Sequence, residues 1–271
     1  MSNSYTLRTG TLPLLVSFPH NGILIPQDIQ AGMTPAGKSS KDTDWWVRDV
    51  YTCLDKMDAS VLVARYSRYV IDLNRAPDDE ALYPGQTETR LCPTITFDGA
   101  PLYEQDGPDS TEIQRRIDTY WWPYHAALRD ELKRLRDLHG YVVLWDAHSI
   151  RGFVPLFFSG QLPDFNIGTH DGRSADPALA DALMDYCGAQ IRETAVLNGR
   201  FKGGFITRHY GDPVYGVHAV QLELNQQLYL DDENMVPPVL HPEKSRQLAA
   251  VLRDLLELTL RTAAEIARRP S

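Results

Sequence analysis

Short apolar runs punctuate the chain at Leu12–Phe18, Ser60–Tyr66, Tyr69–Leu73, Tyr141–Asp146, Val154–Ser159 and Val217–Leu224. They are rich in Val, Leu, Ile and aromatic residues and several have turn-forming residues on one side, which predicts strands. Tyr141–Leu144 is fully apolar, the mark of a central strand covered on both faces, and Val217–Leu224 is another apolar strand. Helical spacing fills the intervals. Asp44–Met57 sets Val47, Val50, Tyr51 and Leu54 on one stripe. A longer pattern from Asp109 to Leu138 opens with Asp109 and Glu112 at capping-box spacing and carries Ile113, Ile117, Tyr120, Leu128, Leu132 and Leu135. Pro123 should kink or divide it. Asp176–Pro177 reads as a cap followed by proline at the first helical position, and a last helix should run from about Pro242 to Ile266. Strands alternating with helices of this length predict an α/β fold: one domain over residues 1–271, with a central mixed sheet flanked by helices.

Composition narrows the functions this fold can serve. The 271 residues carry a formal net charge of −9 and no basic run, which argues against a nucleic-acid partner. An acidic chain still binds anions where local charge permits. Cys53, Cys92 and Cys187 are odd in number, far apart and without a CxxC pair, so they read as reduced, packed thiols. The first residues show no basic segment followed by an apolar one, and no run reaches the ~18 apolar residues of a membrane span. The expectation is a cytoplasmic protein without a membrane anchor. The long irregular stretches Pro26–Lys41, Ala76–Pro108 and Asp231–Pro238 read as site-lining loops rather than domain boundaries.

Polar residues collect where the predicted strands end, the place where open α/β sheets bind ligands. His20 lies in the turn Ser17–Gly22, Asp42 and Asp44 precede a helix, and Asp146 and His148 follow an apolar strand on one face. Glu223 sits near the end of another such strand. Taken singly, His20 reads as a turn histidine and either aspartate as a helix cap. The carboxylate in the apolar strand is harder to dismiss, because it must be paired, metal-bound or kept for proton transfer. His20, one acid of the Asp42/Asp44 pair and His148 together form a recurring catalytic zinc set with room for water. Glu223 would then be the general base, with Asp146 a partner that orients a ligand from behind. His218, on the opposite face from Glu223, should not join this site. Arg75, Arg208 and Arg151 adjoin these segments and suit a substrate with more than one carboxylate.

On these residues the chain resembles the N-formylglutamate amidohydrolase family. The matching stretches are Ser17–Gly22, Asp42–Trp45, Arg68–Arg75, Leu82–Gln86, Cys92–Tyr103, Asp146–Arg151, Asn198–Gly211 and Val217–Asn225. Their order also resembles the wider zinc carboxypeptidase and aspartoacylase class, which implies a zinc-exopeptidase-like fold. The resemblance implies one zinc per chain on His20, Asp44 and His148, or another divalent transition metal. It also implies Asn74 and Arg75 on the substrate's α-carboxylate and Glu223 as the catalytic residue. The implied reaction is hydrolysis of N-formyl-L-glutamate to formate and glutamate, the last step of a histidine degradation route. Arg208 is the favoured anchor for the side-chain carboxylate, with Arg151 in reserve. One departure stands: the carboxypeptidase class has an acid three residues after its first histidine, and here that residue is Ile23. The competing readings are a zinc amidohydrolase for another N-acyl amino acid and a non-enzymatic carboxylate-binding protein.

Overall fold

The computed structural model describes residues 4–82 and 89–269. Strands β1 (Tyr5–Arg8), β2 (Leu14–Phe18), β3 (Ser60–Ala64), β4 (Val142–Ile150), β5 (Phe165–Gly168), β6 (Ala195–Leu197) and β7 (Val217–Asn225) form one sheet in the order β1-β3-β2-β4-β7-β5-β6. The four central strands β3, β2, β4 and β7 are parallel; β1 and β5 pair antiparallel with them, and β6 pairs parallel with β5. The sheet is mixed, as expected. Its two longest strands, β4 and β7, are buried along their whole length, as the fully apolar start of β4 predicts.

Helices cover both faces. The short helices α1 (Gln27–Gln30), α2 (Pro35–Lys38) and α3 (Val47–Val50) lie in the segment after β2, followed by α4 (Ser110–Arg116), α5 (Trp122–His139), α6 (Pro177–Gln190), α7 (Phe205–Tyr210) and α8 (Pro242–Ala267). One core layer joins Leu179 and Leu183 of α6 and Leu248, Leu252 and Leu255 of α8 to Val16, Trp145 and Leu222 of the sheet. The other joins Tyr124, Leu128 and Leu132 of α5 to Leu15, Leu62 and Leu144. Among the described residues no helix is long and apolar enough to cross a membrane, and the three cysteines are free thiols.

Local signals explain the helix ends. Asp109 accepts from the Glu112 amide at 2.8 Å, but the Glu112 carboxylate turns to Arg115 and Arg116, so only half of the capping box forms. Asp176 caps α6 through the Ala178 amide. Between α4 and α5 the residues Ile117–Trp121 form a π-helical turn, with the Trp122 amide on the Ile117 carbonyl. Pro123, which lacks the N–H that a regular helix needs, follows this wide turn; the helix widens there instead of breaking.

Two predicted strands are absent. Tyr69–Leu73 is buried, but its backbone is satisfied by turns and loops: the Val70 amide goes to Ser67, Asp72 to Leu91, and Arg116 takes the Val70 carbonyl. Val154–Ser159 is apolar because Val154, Leu156, Phe157 and Phe158 pack with Phe97, Ile150 and Phe201 in a small cluster beside the sheet. The helix expected over Asp44–Met57 is reduced to α3 and a 3₁₀ turn at Thr52–Asp55; Trp46, at φ 59°, interrupts it. The strands β1, β5 and β6 have only three or four residues each and carry little apolar periodicity. Of the stretch Leu82–Gln86, only Leu82 lies within the described residues.

Candidate active site

The site grows from one face of the central strands. Ser17, Asp146 and Gln221 are register partners across β2, β4 and β7, and His148 faces Glu223 two residues further on. All five side chains share the face that packs on α5 nearer the strand starts. His20 follows β2 by one turn, and the Asp44 amide donates to the His20 carbonyl at 3.1 Å, stitching the loop before α3 to the strand end.

There the side chains converge. His20, Asp44 and His148 are buried and each offers a ligand atom within 4.8 Å of the others. Each imidazole is held from behind. His20 Nε2 meets Asp72 Oδ1 at 2.6 Å. His148 Nε2 lies 3.2 Å from Asp146 Oδ2 and 3.0 Å from Asn74 Nδ2. Both Nδ1 atoms therefore turn toward Asp44, at 3.8 Å from His20 and 3.0 Å from His148. Backing of imidazoles by carboxylates is the arrangement that orients metal-binding histidines. Two buried atoms here have no hydrogen-bond partner: His20 Nδ1, which faces Asp44 Oδ2 at 3.8 Å, and Asp44 Oδ1, which lies 3.7 Å from the Arg68 guanidinium. Buried polar atoms are rarely left so. A cation between the two imidazole Nδ1 atoms and Asp44 would satisfy His20, so the donor set fits a metal. Of the two candidate acids, Asp44 is the one at the histidines; Asp42 turns away to the Tyr69 hydroxyl at 2.6 Å and the Phe97 amide at 2.7 Å.

The electrostatics agree with that fit. Burial, helped by the Arg68 charge, holds His20 below its ordinary value and therefore neutral. Burial would raise Asp72, but its contacts with the His20 ring and the Arg68 guanidinium hold it well below the usual carboxylate range. At Asp44 burial is again outweighed, here by the His148 hydrogen bond and the neighbouring His20, His148 and Arg68. Burial opposes charge on His148, yet Asp146 and Asp44 raise it well above the usual range. Glu223 is pushed up to about 8 by burial, with His148 opposing and Asp44 reinforcing the shift. Carboxylates thus crowd this centre, and a divalent cation would change its charge balance and the protonation of its histidines.

A cavity opens onto His20, His148 and Glu223. Arg68, Arg75 and Arg200 line it, with Asn74, Gln221 and Gly204 and an apolar wall of Phe97, Ile150, Phe157 and Phe201. Gly204 lies against the Asn74 side chain so closely that a Cβ there would sit 2.3 Å from Asn74 Nδ2.

The two arginines expected at the substrate's side-chain carboxylate do not line the cavity. Arg208 donates to the Gly203 carbonyl at 2.8 Å and to the Leu82 carbonyl at 2.9 Å, tying two loops together. Arg151 pairs with Asp98 at 2.8 Å and lies 3.6 Å from Asp42. Their neighbourhood in sequence to site segments came from backbone proximity, while the side chains serve the scaffold. Asp146 lies behind His148 at 3.2 Å, and His218 lies away from the site beside the Asp176 amide. Sequence reasoning missed Asp72, Arg68 and Arg200. Asp72 carried a signal, a carboxylate inside the apolar run Tyr69–Leu73; Arg200, beside Gly199, carried none of its own.

Fold and site define a class: an α/β enzyme whose parallel strand ends carry a candidate metal group of two histidines and an aspartate beside a buried glutamate. The comparisons make the family explicit. The N-formylglutamate amidohydrolase family matches residues 12–230. The chain is 45% identical over 266 residues to an N-formylglutamate deformylase of Pseudomonas putida, with 98% of each chain covered. It is 46% identical over 261 residues to one from Pseudomonas aeruginosa, covering 96% of this chain and 97% of that one. The crystal structure of N-formylglutamate amidohydrolase from Ralstonia eutropha JMP134 superposes with a TM-score of 0.79 at 27% identity, over 98% of this chain and 99% of that one. A gene product from Agrobacterium tumefaciens shares the fold, with a TM-score of 0.73 at 20% identity over 96% of each chain. This chain belongs to the N-formylglutamate amidohydrolase family.

Proposed function

We propose that this chain hydrolyses N-formyl-L-glutamate to formate and L-glutamate, with one divalent metal ion, zinc in the first instance, held by His20, Asp44 and His148. The observation that carries the reading is the meeting of both Nδ1 atoms with Asp44 in the cavity that also holds Glu223 and three arginines. When bound, zinc lowers the pKa of a coordinated water and polarises a carbonyl.

The chain's own groups supply the rest. Glu223, buried on the cavity wall beside His148, takes the proton from water as its oxygen adds to the formyl carbon. It then gives that proton to the glutamate nitrogen as the C–N bond breaks, which leaves formate and a free amine. The Arg68 guanidinium on the cavity wall favours the negative charge that develops on the carbonyl oxygen. Arg75 and Asn74 take the α-carboxylate. Arg200, not Arg208 or Arg151, takes the side-chain carboxylate, because it is the remaining arginine on the wall among the described residues. The test is metal analysis of the purified protein, with formate release from N-formylglutamate, N-formylaspartate and N-acetylglutamate. The reading requires bound metal and a clear preference for N-formylglutamate. Preference for either analogue would assign the site to another N-acyl amino acid, and absence of turnover on all three would remove the enzymatic reading.

A further inference from the structure

Asn74 and Arg75 reach the cavity from a turn, and what holds that turn lies behind it. Three consecutive carbonyls each accept a hydrogen bond from a different residue. Leu73 takes His125 Nε2 at 2.9 Å, Asn74 takes the Phe205 amide at 3.2 Å, and Arg75 takes Trp121 Nε1 at 3.0 Å. The Ile206 amide adds a bond to Asn74 Oδ1 at 2.8 Å.

Two of these donors share one helix face. Trp121 and His125 are four residues apart, and their rings stack with centroids 3.7 Å apart. Trp121 closes the π-helical turn, a feature that recurs at functional sites. The His125 tautomer is fixed: a carbonyl can only accept, so Nε2 carries the proton and Nδ1 faces the Tyr210 hydroxyl at 3.0 Å. Burial pushes His125 down to about 3, so it stays neutral at working pH.

We infer that Trp121 and His125 are positioning residues for the substrate's α-carboxylate, acting through the Arg75 and Leu73 carbonyls to fix Asn74 and Arg75 on the cavity wall. The inference rests on the function proposed above. It predicts a defect weighted toward one carboxylate: the two residues act on the turn that carries Arg75 and Asn74, the latter also in contact with His148.

Trp121→Phe and His125→Phe keep an aromatic ring and delete the N–H; His125→Gln returns a donor near the Nε2 position. The substrates are N-formylglutamate and N-formyl-4-aminobutyrate, which lacks only the α-carboxylate. Each Phe variant should lose about tenfold in kcat/KM on N-formylglutamate, chiefly through KM, the order expected for one hydrogen bond. On N-formyl-4-aminobutyrate each should stay within about twofold of wild type, and His125→Gln should recover most of its loss. Amide hydrogen exchange at Asn74, Arg75, Phe205 and Ile206 should quicken about tenfold in the Phe variants, while β4 and β7 keep their protection. Equal losses on both substrates, or unchanged exchange at those amides, would overturn the inference. Wild-type protein that fails to hydrolyse N-formylglutamate, or does not favour it over the analogue, would refute the proposed function instead. The exchange rates would then decide the clamp on their own.

Discussion

The two faces of β2, β4 and β7 are built from alternate residues of the same strands, yet they do different work. One face is mostly apolar: Leu14, Val16 and Phe18, then Val143, Trp145 and Ala147, then Val220, Leu222 and Leu224, with His218 near the start of β7 and Ser149 near the end of β4 as its buried polar members. The other begins apolar with Leu15, Val142, Leu144 and Ala219. It turns polar halfway along, at Ser17, Asp146, His148, Gln221 and Glu223, all of them buried. The comparison separates two requirements that a sheet meets at once. An apolar face answers only to packing. The polar half-face must satisfy each donor and acceptor, and it does so through a lattice of carboxylates, imidazoles and Arg68 that leaves His20 Nδ1 without a hydrogen-bond partner beside Asp44.

Substitutions at adjacent positions on opposite faces test this division. Glu223→Gln keeps the shape of the polar face and removes the base; turnover should fall ~100-fold or more while metal content is kept. Near-normal turnover, measured as formate release, would move the base elsewhere, with Asp146 next in line. The neighbouring Leu222→Ala should do the reverse. It should cost ~2–5 kcal/mol of stability in denaturant unfolding through the cavity it leaves, with kcat of the folded protein close to wild type. A parallel loss of turnover would show that the faces are coupled.

Arg200→Ala refines the polar side further. It should lose about 10- to 100-fold in kcat/KM on N-formylglutamate, and little on N-formyl amino acids without a side-chain carboxylate. Arg208→Ala should affect both substrate types equally, because its guanidinium holds the loop carbonyls of Gly203 and Leu82. A selective loss at Arg208 instead would restore the expectation drawn from sequence.

The smallest effect concerns His125. Its folded value lies near 3 against an ordinary 6.5, so between these values the unfolded chain binds the proton and the folded one does not. Stability should therefore rise with pH through that window, and the contribution is lost as the pH falls from 6.5 toward 3. His125→Phe should flatten this part of the stability profile measured by denaturant unfolding. An unchanged slope would mean that another group supplies it.

Much of this was legible in the residues. The apolar runs located β4 and β7, and the polar residues toward their ends located His148, Glu223 and, after β2, His20. Capping signals placed the starts of α4 and α6. What escaped depends on side-chain direction rather than position along the chain. Arg208 and Arg200 lie in one stretch of sequence, and only the folded loop decides which guanidinium lines the cavity. Asp42 and Asp44 are two residues apart, and the left-handed turn at Trp46 belongs to a segment whose helical stripe promised something else. Tyr69–Leu73 was apolar enough for a strand, but its interior Asp72 and the turn that follows serve the site.

The central claim is that the polar half-face holds one metal ion between His20, Asp44 and His148. Metal content and anomalous X-ray scattering test it together, on the purified protein and on Asp44→Ala. The account predicts one ion per wild-type chain, with a single anomalous peak about 2.0–2.2 Å from the ligand atoms of these three side chains, and loss of both signals in Asp44→Ala with the fold retained. A metal-free active enzyme, or a peak bound elsewhere and unaffected by Asp44→Ala, would contradict it.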